Sequence, residues 1–183
     1  MHFSYEGTDE GLKAAAEYCE KLHSRDEFWE AIISNGPYNY SDASAEDIAT
    51  YMRGYNGVVS LKFFTGRLRY RNTVAYVSSG DRHHIYYNTR YLRNAISRKV
   101  NTLVHEFVHI TDYFGDSSNQ IEYGHGDQSS EGKGKSAPYA IGKIAEDFYK
   151  SDNPSFIKNV AIEPLHFQCD LGELPEEMIV DDV

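Results

Sequence analysis

Two histidines and a glutamate stand close together in the segment HEFVH, residues 105–109. Histidines four residues apart in a helix project from adjacent turns, so their imidazole nitrogens can converge on one zinc ion at about 2 Å. A glutamate directly after the first histidine lies to the side of that pair, where its carboxylate could take a proton from a zinc-activated water. The spacing therefore predicts that His105 and His109 bind zinc and that Glu106 is the general base.

The position of this motif around its helix argues against chance. From the number of histidines and glutamates in 183 residues, such a pattern is expected only about 0.03 times. At 100° per residue, His109 lies about 40° and Glu106 about 100° from His105. Apolar residues lie opposite, between about 140° and 220°: Val100, Leu103, Phe107, Ile110 and Phe114. We therefore expect both histidines to point away from the core, and a solvated polar face would not explain these particular residue types.

A catalytic zinc site needs a third protein ligand, which must come from another part of the chain. The best candidate is His125, because the glycines on both sides of it allow the backbone to approach a metal closely. Asp127 is its nearest rival and could otherwise accept a hydrogen bond from a ligand imidazole. Weaker candidates for ligation or support are Glu122, Glu131, Glu146, Asp112, His83 and His84.

A hydrolase that attacks a carbonyl also requires a hydrogen-bond donor for the oxyanion that forms. Tyr123 and Tyr139 lie near the two ends of the segment that contains His125, and we predict them as candidate donors. The chain contains fifteen tyrosines, so ordinary packing is the alternative role for each of the two.

Helices and short strands are predicted before the motif. Apolar spacing predicts helices over 10–22, 26–33 and from Ser44 to about residue 55, with Thr8 or Asp9 as the cap of the first and Ser44 as the cap of the third. Turn signals then separate β-branched and aromatic runs, which predicts a meander of largely antiparallel strands. The predicted strands cover residues 58–64, 67–71, 73–78 and 83–88.

The motif helix is predicted to begin near residue 91 or 94 and to end at Phe114. Residues 116–135 are rich in glycine, serine and aspartate and predict a long loop, a type that is often functional. A closing helix over 138–149 follows. Helices, a small sheet, the motif helix, a loop and a closing helix together predict an α+β fold.

Composition limits the partners and the compartment. A net charge of −10 argues against nucleic acid, and the sequence contains no apolar run long enough to cross a membrane. Without a visible signal peptide we expect a cytoplasmic protein, although export by another route stays open. Cys19 and Cys169 are expected to be buried thiols. We expect one domain over 1–169 and an acidic tail over 170–183, and the sequence leaves the oligomeric state open.

The chain resembles the zincin metallopeptidases in HEFVH at 105–109, in the strands before that helix, and in the ligand candidate and helix after it. The resemblance covers about the middle third of the sequence. It implies a small twisted sheet over the active-site helix, zinc as cofactor, His105 and His109 as ligands and Glu106 as base. It also implies that an edge strand, here 73–78, binds a peptide or protein substrate in extended form.

The pattern of the zincin subgroups does not extend to this chain. Metzincins require a glycine at position 112 and a histidine at position 115, where this chain has Asp112 and Gly115. A histidine followed by glycine after a loop resembles SprT-like zincins, whose action on DNA-bound protein does not suit an acidic chain. No subfamily is therefore assigned.

Two other functions are compatible with the same residues. One is a zincin-like protein that binds zinc without useful turnover and acts through a partner. The other is an acidic interaction module without metal, in which the histidines form only a polar helix face. Measuring bound zinc separates the second of these from the peptidase, and a blocked cleft would favour the first.

Overall fold

A computed structural model of the chain describes residues 1–67, 70–78, 81–115, 133–154 and 179–180. Five α-helices and five strands lie in these ranges, which confirms the α+β class. The helices are α1 (Glu10–His23), α2 (Asp26–Asn35), α3 (Ala45–Gly54), α4 (Ile96–Gly115) and α5 (Ala137–Asp152). The strands are β1 (His2–Ser4), β2 (Val58–Phe64), β3 (Ala75–Ser78), β4 (Asp81–Asn88) and β5 (Ile179–Val180). Among these helices none is long and apolar enough to span a membrane.

The helices before the sheet begin at the predicted caps. The Asp9 carboxylate accepts a hydrogen bond from the Leu12 backbone amide at 2.6 Å, which satisfies a free donor in the first turn of α1. Ser44 and Asp47 form a reciprocal capping box at the start of α3. On α1, the predicted apolar face is buried, including the free thiol of Cys19.

The sheet is mixed, so the prediction of a largely antiparallel sheet is wrong. Its strand order is β1-β2-β4-β3, and β5 pairs with β2 off this path. The β1–β2 and β2–β4 pairs are parallel, whereas β3–β4 and β2–β5 are antiparallel. Turn signals show where the chain reverses locally. They do not show that β3 lies outside β4, so that β4 and not β3 is the neighbour of β2.

The segment 67–71 is not a strand where the structure describes it, which corrects a second prediction. Arg67 is exposed and in no strand, and the Tyr70 amide donates a hydrogen bond to the Arg67 carbonyl. Tyr70 is buried on the outer face of the sheet, in a cluster with Phe64, Tyr76 and Tyr86. Tyr70 therefore packs on the sheet without belonging to one of its strands.

The motif helix α4 lies at the centre of the fold. Val100, Leu103, Phe107 and Ile110 of its predicted apolar face are fully buried, and the helix contacts strands β3 and β4. Val104 and Val108 are fully buried as well. Helices α1, α3 and α5 also pack against α4, so it lies between the sheet and three helices.

Helix α5 approaches α4 closely at a glycine. A Cβ atom added at Gly142 would lie 2.9 Å from the Asn101 backbone oxygen and 3.3 Å from the His105 Cβ. One turn farther along α5, the Asn101 side-chain amide donates to the buried Glu146 carboxylate at 3.0 Å. Glu146 also forms ion pairs with Arg98 at 3.5 Å and Lys150 at 2.5 Å. These contacts fix α5 to α4 one turn before His105.

The close approach at Gly142 gives a stability prediction. We expect Gly142→Ala to lower the free energy of unfolding by about 1–3 kcal/mol, because the added methyl group forces the two helices apart. Alanine has a better helix propensity than glycine, so propensity alone would raise the free energy of unfolding. The sign of the measured change therefore separates packing from propensity. Gly54→Ala is the matched control at the end of α3, where the added Cβ meets no atom within 4 Å. Urea denaturation should show Gly54→Ala equal to or more stable than wild type, and a stabilised Gly142→Ala would contradict the packing argument.

Candidate functional site

His105 and His109 lie on successive turns in the middle of α4, with ring centroids 5.2 Å apart. A zinc ion about 2.0–2.1 Å from one nitrogen of each ring lies roughly 3.2 Å from each ring centroid, so a tetrahedral angle places the centroids about 5 Å apart. The two rings are therefore separated as a shared zinc ion requires.

The burial of the motif excludes a solvated polar face for its first two residues. His105 and Glu106 are both 0% exposed, whereas His109 is partly exposed. The expectation that both histidines point away from the core is therefore wrong for His105. A helical wheel shows the direction of a side chain, but not the element that covers it. Here α5 covers His105.

Glu106 is a buried carboxylate without the usual partners. Neither of its oxygens accepts a hydrogen bond of normal geometry from the part of the chain that the structure describes. Burial raises the pKa of Glu106 to about 8, although the backbone amide of Val77 opposes part of this rise. Buried carboxylates without donors are destabilising and rare, so the position of Glu106 calls for a functional explanation.

Val77 belongs to β3, the terminal strand of the described sheet. The pairing of β3 with β4 is irregular between Tyr76 and Ser78, the two neighbours of Val77. Irregularities of this kind are frequent beside active sites, because they redirect backbone groups out of the ladder. The edge strand thus brings a backbone amide to the carboxylate of the motif.

The structure brings Tyr139 to the histidine pair. Tyr139 is partly exposed in the first turn of α5, and its ring centroid lies 4.7 Å from that of His105, with perpendicular ring planes. The other predicted residues of the site fall outside the described residues. These are Tyr123, His125 and the rival ligand candidates Asp127, Glu122 and Glu131.

Of the remaining ligand candidates, Glu146 and His84 are engaged by other side chains. Glu146 is bound by Asn101, Arg98 and Lys150, as described above. His84 is paired with Asp81 at 2.5 Å, and the alternation of β4 places it with Tyr86, on the sheet face that α4 does not cover. Within the described ranges no three histidine, cysteine, aspartate or glutamate residues are grouped so that they could hold a metal.

His83 and Asp112 have surface positions. His83 is exposed and lines an open cleft of about 510 Å³ together with Thr111, Tyr51 and Tyr55. The lining of this cleft includes none of the three motif residues. Asp112 is partly exposed on α4, three residues after His109.

Sequence reasoning missed the residues that enclose the site. Gly142 gave a usable signal, because a glycine inside a helical pattern often has a packing reason. Val77 gave none, since its contribution is a backbone amide whose position depends on the pairing of β3. Asn101 also gave none, because its partner Glu146 lies 45 residues away.

Comparison of the chain with protein-family models, with curated proteins and with solved structures finds no match. The interpretation of the site therefore depends on its own geometry: two histidines at zinc-compatible spacing, a buried carboxylate beside them, and an edge strand next to that carboxylate.

The raised pKa of Glu106 predicts how stability depends on pH in the metal-free protein. The folded state holds this proton up to about pH 8, against an ordinary value of 4.5. The contribution of the protonated Glu106 carboxyl to the free energy of unfolding is therefore fully present below pH 4.5 and is lost as the pH rises towards 8. Urea denaturation with a chelator, between pH 4.5 and 8.5, should show a flatter dependence for Glu106→Gln than for wild type.

The control for this measurement is Glu17→Gln, which removes an exposed carboxylate from α1. It should keep the wild-type dependence on pH. An equal slope in wild type and Glu106→Gln would contradict the assignment of the pH dependence to Glu106.

Proposed function

We propose that this protein is a zinc-dependent metallopeptidase of the zincin type. The observation that carries the proposal is the buried Glu106 carboxylate, which has no normal hydrogen-bond partner among the described residues. It directly follows His105, and the spacing of the His105 and His109 rings suits one zinc ion. A helix that only supports a core would be more stable with an apolar side chain at position 106.

The zinc ligands in this proposal are His105, His109 and the predicted third ligand His125. Neutral imidazoles are preferred zinc ligands, and three of them leave one coordination position open. When bound, zinc lowers the pKa of a water molecule towards neutrality and polarises the carbonyl of the bond to be cleaved. Of the two described histidines, His109 is the one that solvent reaches.

In this reaction Glu106 takes the proton from the attacking water and later donates it to the leaving amine nitrogen. The ionised form of Glu106 would be favoured by a zinc ion bound nearby. The described residues give its oxygens no hydrogen bond of normal geometry, so the ionised carboxylate could accept this proton. Tyr123 and Tyr139 remain the predicted donors to the oxyanion, which a hydrolase of this type requires.

The proposed substrate is an extended segment of a peptide or protein. β3 has a strand partner on one side only within the described sheet, so its other edge can pair with an added strand. The Val77 amide of this strand lies beside Glu106. A peptide paired with β3 would therefore pass close to the catalytic carboxylate.

A second candidate is a zincin-like protein that binds zinc and acts through a partner without turnover. The observation that favours it is the 0% exposure of both His105 and Glu106. A base enclosed to this degree reaches a substrate only when the surrounding chain moves. Zinc binding without peptide cleavage would identify this function.

The test of the peptidase proposal measures bound zinc and peptide cleavage together. We expect Glu106→Gln to keep one zinc ion per chain and to lose about 10²–10⁴-fold in activity, because it removes the base and not a ligand. We expect His109→Ala to lose both zinc and activity. Elemental analysis and cleavage of a mixed peptide library measure these outcomes. Glu17→Gln is the matched control, and full activity in Glu106→Gln or a zinc-free wild type would contradict the proposal.

The third ligand is tested by comparing two substitutions. His125→Ala should weaken zinc binding by more than about 100-fold, whereas loss of a supporting residue in Asp127→Ala should weaken it by about 10–100-fold. Competition with a chromophoric chelator measures both affinities. His83→Ala removes an exposed histidine of β4 and should leave the affinity unchanged. A larger loss in Asp127→Ala would make Asp127 the ligand instead.

A further inference from the structure

The ring of Tyr139 lies directly against the ring of His105. Their centroids are 4.7 Å apart and the planes are perpendicular, which is a favourable edge-to-face arrangement of aromatic rings. An imidazole in this contact cannot rotate about its side-chain bonds without losing the packing. The contact therefore acts on the orientation of the His105 ring, whatever the Tyr139 hydroxyl does.

Contacts that come before and after Tyr139 along the chain hold its part of α5 in place. Before it, Ser136 forms a backbone bridge with Asn39, and the Asn39 amide donates to the Lys135 carbonyl at 3.0 Å. After it, Gly142 lets α5 approach α4, and Glu146 is bound by Asn101 from α4. The ring of Tyr139 thus projects from a helix whose position relative to α4 is set on either side of the contact.

The two histidines of the motif differ in how they are enclosed. His105 is fully buried beneath α5, whereas His109 is partly exposed. A side chain that is already held in its bound orientation loses less conformational freedom when it binds a metal. Preorganisation of His105 should therefore contribute directly to zinc affinity.

We propose that Tyr139 is a positioning residue that holds the His105 imidazole in the orientation required for metal binding. This inference rests on the proposed zinc site but not on peptide hydrolysis. It also differs from the role predicted from sequence, in which the Tyr139 hydroxyl stabilises the oxyanion. The two roles need different parts of the side chain, the ring in one case and the hydroxyl in the other.

The experiment uses the full chain and four variants. Tyr139→Phe keeps the ring, while Tyr139→Leu and the more flexible Tyr139→Met remove it. Tyr149→Leu is the matched control, because Tyr149 lies on the same helix and makes a similar edge-to-face contact, 4.9 Å from Tyr18. We expect zinc affinity equal to wild type in Tyr139→Phe and about 10–100-fold weaker in Tyr139→Leu and Tyr139→Met. Tyr149→Leu should lose stability in urea but keep its zinc affinity.

Histidine ring NMR signals of the metal-free protein give a readout that does not require zinc. Wild type, Tyr139→Phe and Tyr149→Leu should each show one sharp set of His105 signals, whereas Tyr139→Leu should show broadened or multiple sets. If wild type binds no zinc, the proposed function fails, and these signals still decide whether Tyr139 holds the ring. If wild type binds zinc without cleaving peptides, the affinity test stands unchanged.

Three results would overturn the inference. The first is wild-type zinc affinity and wild-type His105 signals in Tyr139→Leu, which would make the contact dispensable. The second is an equal loss of zinc affinity in Tyr149→Leu, which would reduce the effect to general stability. The third is a Tyr139→Phe variant that loses as much zinc affinity as Tyr139→Leu, which would assign the effect to the hydroxyl and not to the ring.

Discussion

The enclosure of α4 between the sheet and α5 is the constraint on which the rest of the structure depends. The sheet covers one side of the helix, α1 and α3 also pack against it, and α5 approaches it at the distance that Gly142 allows. A bulkier residue at position 142 would move α5 away from both Asn101 and His105. The burial of His105 and its contact with Tyr139 both follow from this close packing of two helices.

This enclosure explains how the fold tolerates a buried carboxylate that lacks normal hydrogen bonds. Taking Glu106 out of water is unfavourable, and its raised pKa reflects that cost. Around it, fully buried residues such as Val104, Phe107 and Val108 each contribute about 1.5–3 kcal/mol through loss of apolar surface from water. The core of α4 can therefore offset a strained polar site, a combination that is typical of functional sites.

The mixed sheet determines what lies beside the motif. The strand order β1-β2-β4-β3 leaves the short strand β3 at one end of the described sheet. Its Val77 amide lies close to Glu106. A continuous antiparallel meander would have placed β3 between β2 and β4, with both of its edges paired. The terminal position of β3 in the described sheet, next to the carboxylate, is the feature on which the proposal of an extended peptide substrate rests.

The sequence alone determined the helices, their caps and the residue types of the motif, because these depend on interactions between residues a few positions apart. Asp9 and Ser44 cap their helices as predicted, and HEFVH lies on a helix whose predicted apolar residues are buried from Val100 to Ile110. Tertiary structure alone decided the strand order, the cover that α5 forms over His105, and the approach of the Val77 amide to Glu106. These depend on contacts between distant segments, which periodicity and turn signals do not encode.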